Sequence, residues 1–235
     1  MLPASLLAAM RLRRLPFHKV VLFGGGQAPS PIFFSSTVIP KLNHTLTLSK
    51  PPARLPGDFA IWIFIFAELL VFGVFFLAYA FTRQSNIELF NTYQQQLNQS
   101  AGLINTLALI TSSYFVVRAV AAIREGSAQH CSRWLLAAIA MGGVFIAVKV
   151  FEYAHHISEG INLSTNTFYM FYLSLTFFHF MHVIMGMVIL AAVLLKARRG
   201  GYSADEHTGV ETGASYWHMV DLVWLILFPL IYVMR

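Results

Sequence analysis

The segment that decides the fold is residues 59–82, which reads FAIWIFIFAELLVFGVFFLAYAFT and carries a single acidic or basic side chain, Glu68. About 20 consecutive apolar residues are enough for a helix to cross the hydrocarbon core of a bilayer. Asp58 precedes the apolar run and supplies a carboxylate where the helix would begin. The segment is therefore predicted to be a transmembrane helix.

Four more apolar segments follow, at residues 103–123, 134–153, 168–195 and 216–234. Each has about the length of a membrane crossing. Only 11% of the residues are charged and 57% are hydrophobic, whereas a soluble domain carries about a quarter charged residues. We predict an all-α fold, a polytopic membrane bundle of five transmembrane helices within residues 58–235, with a polar loop rich in Asn and Gln after the first helix.

Residues 1–57 differ from the rest of the chain. They hold seven Lys and Arg residues, and no acidic residue precedes Asp58. An Arg-rich start without acidic residues is typical of an organelle transit peptide. We expect instead a flexible extension, or a start assigned too far upstream, that lies outside the transmembrane domain.

Basic residues cluster on one predicted side of the membrane. The net charge is +6, and besides the seven in residues 1–57, five Lys and Arg residues lie in or beside the loops after the second and fourth spans. Arg83 and Arg235 lie on the other side, with Lys149 at or within the end of the third span. Cytoplasmic segments of membrane proteins carry an excess of Lys and Arg. We therefore predict the N-terminus inside and the C-terminus outside, and we attribute the charge to topology rather than to nucleic-acid binding. The five residues are Arg124, Arg133, Lys196, Arg198 and Arg199.

Three acidic residues are predicted to be proton-linked or buried polar groups, and Glu68 is the one predicted at membrane depth. An ionised carboxylate there costs several kcal/mol, so Glu68 must be paired, hydrated or protonated. No Lys or Arg lies between Asp58 and Arg83, which favours a protonated Glu68 that is either proton-linked or simply hydrogen-bonded between helices. Glu152 can pair with Lys149 on one helix face. The third acid is Asp221.

The sequence offers no convincing metal or heme site. The lone Cys131 excludes a Cys-rich zinc site and a thiolate-held iron–sulfur cluster. Glu152-x-x-His155 is half of a di-iron motif whose other half is missing. His179 and His182 lie three residues apart on one helix and cannot both be axial ligands of one heme. We expect no cofactor in this chain, and we expect these histidines to form interhelical hydrogen bonds or to contact lipid phosphate.

The last span opens with YWHMVDLVW at residues 216–224. Trp217, Asp221 and Trp224 recur at i, i+4 and i+7 and share one helix face. Trp and Tyr at the membrane boundary are typical of an aromatic belt. A belt does not explain the acid, which needs a partner, and His218 is close enough along the helix to meet it.

These segments resemble the cytochrome c oxidase subunit III family of the heme–copper oxidases. The resemblance is collinear over residues 56–235, and five spans correspond to the short bacterial form of a family whose long form has seven. Pro56-Gly57-Asp58 and LFPL at 227–230 look most like the branch associated with nitric oxide reductase. The matching segments are AELL at 67–70 with Phe72, Phe75 and Phe76, then Glu152-Tyr153, FHFMHVIMG at 178–186, and Glu211 with the 216–224 segment.

The resemblance implies a non-redox accessory subunit in a bacterial inner membrane, not catalytic on its own. Its partner would be the catalytic subunit, which carries heme and copper or iron, and its role would be to support core stability and proton uptake in electron transport. Bound phospholipid is also expected. Glu68, Glu152 and Asp221 are the predicted proton-linked or buried polar residues. The predicted lipid or interhelical contacts are His179, His182, Glu211, Trp217, His218 and Trp224.

Two other functions stay open from the sequence. A small proton-coupled transporter could use Glu68, Asp221 and the histidines as a proton path. A transient assembly factor would bind the oxidase only during its maturation. Whether the partner reduces oxygen or nitric oxide is also open.

Overall fold

The computed structural model describes residues 57–234, and this part of the chain is helical without strands. Five of its helices are long and apolar enough to cross a membrane, with mean hydropathies of 1.6 to 2.6. For residues 57–234, the prediction of an all-α fold with five candidate membrane-spanning helices is confirmed. Apart from Gly57, the predicted tail of residues 1–57 lies outside the described residues. The helices are α1 Phe59–Ser85, α2 Ile87–Gln94, α3 Gln99–Arg124, α4 Ala128–Ser158, α5 Thr167–Arg198 and α6 Thr208–Phe228, which continues as a π-helix over Pro229–Val233.

Helices α3 to α6 form the packed body of the protein. Helix α3 packs against α4 and α6, and α5 packs between α4 and α6. Helix α1 packs against α6 and is much less covered: 11% of the residues in its most apolar stretch are buried, against 28% to 50% in the other four spans. Most of α1 therefore faces lipid or a partner protein.

Tight turns at one end of the bundle join α3 to α4 and terminate α5. Gly126 has φ 78°, and the N–H of the next residue, Ser127, donates to the carbonyl of Ala122 at 2.9 Å. Gly200 has φ 72° and ends α5 in the same way, with Gly201 N–H donating to Lys196. Glycine is the residue that adopts this left-handed conformation at a helix end without strain. We call this end, which carries Arg124, Arg133, Lys196, Arg198 and Arg199, the basic end.

Two fully buried tryptophans fill the centre of the bundle. The indole of Trp217 lies between α4 and α5, where a Cβ on Gly142 or Gly186 would come within 3.0 Å or 2.8 Å of its ring. Trp224 packs edge-to-face on Phe145 at 4.9 Å between ring centroids. The predicted aromatic belt is therefore wrong for both tryptophans, because the glycines leave interior space that the indoles occupy.

The predicted helix boundaries were too narrow. Helix α6 begins at Thr208 rather than at residue 216, so His218 lies well inside the helix and not near its start. The polar loop predicted after α1 contains the short helix α2, which buries Phe90 and Gln94 against the bundle. Hydropathy missed both segments because their polar residues lower the local average, although one face of each segment is packed.

Candidate functional site

Glu68 and His182 form a hydrogen bond between α1 and α5. Glu68 Oε2 lies 3.0 Å from His182 Nε2. His182 Nδ1 lies 2.8 Å from the carbonyl oxygen of Phe178. A carbonyl oxygen only accepts, so Nδ1 carries a proton. One further proton must then lie between Nε2 and the carboxyl group, either on the imidazole or on Glu68, and in both cases the pair is neutral overall.

This arrangement corrects the expectation that Glu68 has no basic neighbour. Its hydrogen-bond partner is a histidine that is 114 residues away in the sequence. The rings of Phe72 and Phe178 flank the imidazole, at 5.3 Å and 4.7 Å between centroids. The Glu68 side chain is 20% exposed and the His182 side chain 8%, so the carboxyl side of the pair opens to the bundle surface.

A second cluster joins α4, α5 and the terminal π-helix. Lys149 Nζ donates to Glu152 Oε2 at 3.0 Å and to the Tyr232 hydroxyl at 2.8 Å. Glu152 Oε1 accepts from the hydroxyls of Tyr172 and Tyr232, both at 2.7 Å. The structure therefore brings together Lys149 and Glu152, as their spacing predicted, and adds two tyrosines that the sequence did not single out.

The Lys149 ammonium is fully buried and also lies over aromatic rings. A buried ion pair is favourable only when its geometry is good and its remaining donors and acceptors are satisfied. Here both carboxylate oxygens are occupied, and the cation lies 5.3 to 5.4 Å from four ring centroids, within the range of cation–π attraction. The rings are those of Tyr153, Tyr172, Trp224 and Tyr232.

A cavity of about 690 Å³ lies beside this cluster, at the end of α4, and Glu152 forms part of its wall. His155 is 70% exposed and pairs with Glu159 at 3.4 Å. The two residues of the Glu152-x-x-His155 motif therefore diverge, because Glu152 points into the bundle and His155 points out. Within residues 57–234, no group of three or more His, Cys, Asp and Glu side chains is placed to hold a metal ion.

The third cluster lies between α3 and α6. His218 Nδ1 lies 2.6 Å from the Ser113 hydroxyl oxygen. Asp221 approaches the same serine, and its Oδ1 is buried without a hydrogen-bond partner in the described part of the chain. The predicted meeting of His218 and Asp221 is thus indirect, with Ser113 beside both.

Glu211 fixes the start of α1 to the start of α6 at the basic end. Its Oε1 lies 2.7 Å from Arg124 Nη2, and its Oε2 accepts the N–H of Gly57 at 3.1 Å. The neighbouring Thr212 hydroxyl accepts the N–H of Asp58, also at 3.1 Å. Glu211 therefore makes interhelical contacts, in the first turn of α6, where a carboxylate also interacts favourably with the helix dipole.

The remaining predicted contact residues lie in the interior. Trp224 Nε1 donates to the Thr106 hydroxyl at 2.9 Å. Trp217 Nε1 and both ring nitrogens of His179 have no hydrogen-bond partner within residues 57–234. His179 was expected to hydrogen-bond between helices, but it packs against aromatic rings instead and stacks on Trp224 at 5.2 Å.

Comparison with known proteins identifies the family. The family model "Cytochrome c oxidase subunit III" matches residues 43–235. The chain is 35% identical over 185 residues to cytochrome c oxidase subunit 3 of Thermostichus vulcanus, covering 78% of this chain and 89% of the relative. It is 34% identical over 177 residues to the same subunit of a Synechocystis species, covering 75% of each chain. A probable quinol oxidase subunit 3 of Staphylococcus aureus is 30% identical over 172 residues, covering 73% and 85%.

These relatives give no support to the nitric oxide reductase branch. The two stretches that suggested it have structural roles in this fold. Gly57 and Asp58 bond to the first turn of α6, and Pro229 begins the π-helix that carries Tyr232. The family model covers most of the chain and all five membrane helices. The chain belongs to the cytochrome c oxidase subunit III family.

Proposed function

We propose that the chain is a non-redox accessory subunit of an oxygen-reducing heme–copper oxidase, docked on the catalytic subunit that carries the heme and copper. The observation that carries this proposal is the family match over residues 43–235. The oxidase subunits among its relatives support the same assignment. We place the complex in a bacterial inner membrane with the basic end on the cytoplasmic side, because Lys and Arg accumulate on that side of membrane proteins.

We further propose that the chain binds no redox cofactor. Six of its polar side chains are engaged with one another, in the Glu68–His182, Lys149–Glu152 and Arg124–Glu211 pairs. The Glu68–His182 pair ties α1 to α5, and the Arg124–Glu211 pair ties α3 to α6. The Lys149–Glu152 pair on α4 holds the C-terminal segment through the Tyr232 hydroxyl. The pattern supports a scaffold that stabilises the catalytic subunit during turnover.

The proposed contribution to proton uptake depends on Glu68. Its pair with His182 holds a proton between α1 and α5, and the carboxyl side is partly exposed. A proton acceptor or water chain of the catalytic subunit that reaches this surface could exchange that proton. Most of α1 is not covered by the rest of the chain. We propose that a phospholipid or a helix of the partner subunit packs against it.

A tagged full-length chain, purified from native membranes in mild detergent, tests the proposal. We expect stoichiometric co-purification with a heme-bearing subunit that consumes oxygen. A deletion strain should yield an oxidase with normal initial turnover that loses activity sooner. Recovery of the chain only with immature oxidase would identify an assembly factor. Proton flux through liposomes that contain the chain alone would identify a transporter.

The same preparation separates the two possible electron acceptors. Oxygen consumption is the expected activity. Turnover of nitric oxide without oxygen consumption would reassign the complex to nitric oxide reduction, while the accessory role itself would be unaffected.

A further inference from the structure

A second cavity, of about 390 Å³, lies at the basic end between the start of α4 and the end of α5. Its two charged lining residues are Arg133 and Arg198, and no acidic residue lines it. Both side chains are exposed, and neither has a hydrogen-bond or ion-pair partner in the described part of the chain. Two arginines whose charges are unpaired within residues 57–234 therefore line one cavity.

Two of the other cations at this end have partners. Arg124 is paired with Glu211 at 2.7 Å. Lys196 lies over the ring of Tyr202 at 4.6 Å. Arg199 also lacks a partner in the described residues, but it does not line the cavity. The combination of an unpaired charge and a shared cavity is thus specific to Arg133 and Arg198.

The rest of the cavity lining is amphiphilic. Gln129 and Ser132 supply neutral hydrogen-bonding groups beside the arginines. Ala128, Leu136 and Ala197 supply apolar walls, and Leu136 is 49% exposed. A ligand that fits this lining carries negative charge at one end and apolar surface next to it.

A shallow apolar track continues from the cavity along α4. Residues three or four apart lie on one helix face, which places Leu136, Ala140 and Gly143 in line with Arg133. Ala140 is exposed, and a Cβ on Gly143 would meet nothing within 4 Å. The small side chains leave room for a hydrocarbon chain to lie against the helix toward the bilayer centre.

We infer that Arg133 and Arg198 bind the phosphate group of an anionic phospholipid whose acyl chain lies along this track of α4. Guanidinium groups bind phosphate oxygens through paired, charge-assisted hydrogen bonds. Basic pockets between transmembrane helices at the cytoplasmic surface are known positions for anionic headgroups. The site contains neither Glu68 nor any residue of α1, and it does not depend on which catalytic subunit the chain binds.

Titration of phosphatidylglycerol into the delipidated, full-length chain in its native complex tests the inference, with bound lipid counted by native mass spectrometry. The Arg133→Gln/Arg198→Gln double variant should bind it roughly 30-fold more weakly, since each basic residue near an anionic headgroup contributes about fivefold. Arg199→Gln is the control, because it removes one arginine charge beside the cavity without changing its lining. The control should stay within about twofold of the unmodified complex, since an exposed charge outside the site is screened.

Two further measurements show whether the bound phosphate group belongs to a lipid or to free inorganic phosphate. Phosphatidylglycerol that stays bound in millimolar inorganic phosphate supports a lipid ligand, because the acyl chain then adds to the affinity. Arginine-dependent binding of inorganic phosphate without binding of phosphatidylglycerol would overturn the lipid assignment.

Equal lipid binding by the double variant and the control would overturn the site. Cross-linking of a Gln129→Cys complex to a partner subunit, without bound lipid, would show that protein covers the cavity and would also overturn it.

Discussion

Trp217 occupies interior space that two glycines provide. A Cβ on Gly186 would approach its ring to 2.8 Å, whereas a Cβ on Gly143, on the neighbouring helix α4, would touch nothing within 4 Å. We expect Gly186→Ala to lower the free energy of unfolding by about 1–3 kcal/mol, the usual range for overpacking a core. Gly143→Ala is the matched control and should cause no loss. Denaturation of the purified protein in mixed micelles measures both, and a Gly143→Ala loss as large as that of Gly186→Ala would contradict the packing argument.

Two substitutions of Glu68 separate a structural role of its hydrogen bond to His182 from a proton-linked role of its carboxyl group. Glu68→Gln keeps a hydrogen-bonding group opposite His182 Nε2 but removes the acid, whereas Glu68→Leu leaves Nε2 unpaired. Interhelical hydrogen bonds in membranes contribute about 0.6 kcal/mol on average and up to about 1.7 kcal/mol. We therefore expect Glu68→Leu to weaken the bundle by this order and Glu68→Gln to leave its stability unchanged.

Sustained turnover of the Glu68→Gln complex then tests the proposed proton role. We expect normal assembly but lower turnover, most visibly at high pH where protons are scarce. Measurement of oxygen consumption over many turnovers between neutral and alkaline pH provides the comparison. Turnover and lifetime equal to those of the unmodified complex would restrict Glu68 to a structural role.

Side-chain partners were predictable only where they are close in sequence. Lys149 and Glu152 are three residues apart on α4, so helical geometry alone predicted their contact. His182 is 114 residues from Glu68, and its approach depends on how α1 packs on the bundle. Tyr172 and Tyr232 gave no signal, because a tyrosine in an apolar helix is indistinguishable in sequence from any other core aromatic residue.

At the scale of the element, the π-helix at Pro229–Val233 docks on α4 through one hydroxyl group. Tyr232 accepts a hydrogen bond from Lys149 and donates one to Glu152, and both partners are buried. Tyr232→Phe leaves two charged groups each short of a partner, and we expect it to cost about 1–3 kcal/mol. Thermal denaturation of the complex and protease resistance of the C-terminal segment measure the effect.

Tyr153→Phe is the appropriate comparison for that prediction. Within residues 57–234 its hydroxyl bonds only to Thr176, and Thr176 retains a second bond to the Tyr172 carbonyl. The loss should therefore be about 0.5–1.5 kcal/mol, the net contribution of an ordinary hydrogen bond. A Tyr153→Phe effect equal to or larger than that of Tyr232→Phe would argue against the charged cluster as the anchor of the π-helix.

Element-scale prediction succeeded where apolar composition dominates and failed where only one face is apolar. All five membrane helices were identified from long apolar runs. Helix α2 and the first turns of α6 were missed, because polar residues such as Gln94 and Glu211 lower the local hydropathy to a value typical of a loop. Gln94 is nevertheless fully buried, and Glu211 bonds to Gly57 across the basic end. Such contacts arise from tertiary packing, which local hydropathy does not contain.

At the scale of the whole molecule, the structure places the predicted loops at opposite ends of one bundle. The turns after α3 and α5 lie at the basic end, and the connections after α2 and α4 lie at the opposite end, because successive membrane helices run antiparallel. Arg83, at the opposite end, bonds to Asn91. The charge difference between the ends supports the proposed orientation, with the basic end in the cytoplasm.

Cysteine labelling tests this orientation with low background. The chain contains one cysteine, Cys131, and it is fully buried. Gln95 lies in the exposed connection after α2, and Asp205 lies in the exposed segment before α6 at the basic end. A membrane-impermeant maleimide added to intact spheroplasts should label Gln95→Cys and leave Asp205→Cys unlabelled until the membrane is opened. The two exposed positions differ in the end of the bundle that they occupy. The reverse labelling pattern would therefore show that the orientation is inverted, and it would place the Arg133–Arg198 cavity at the outer surface.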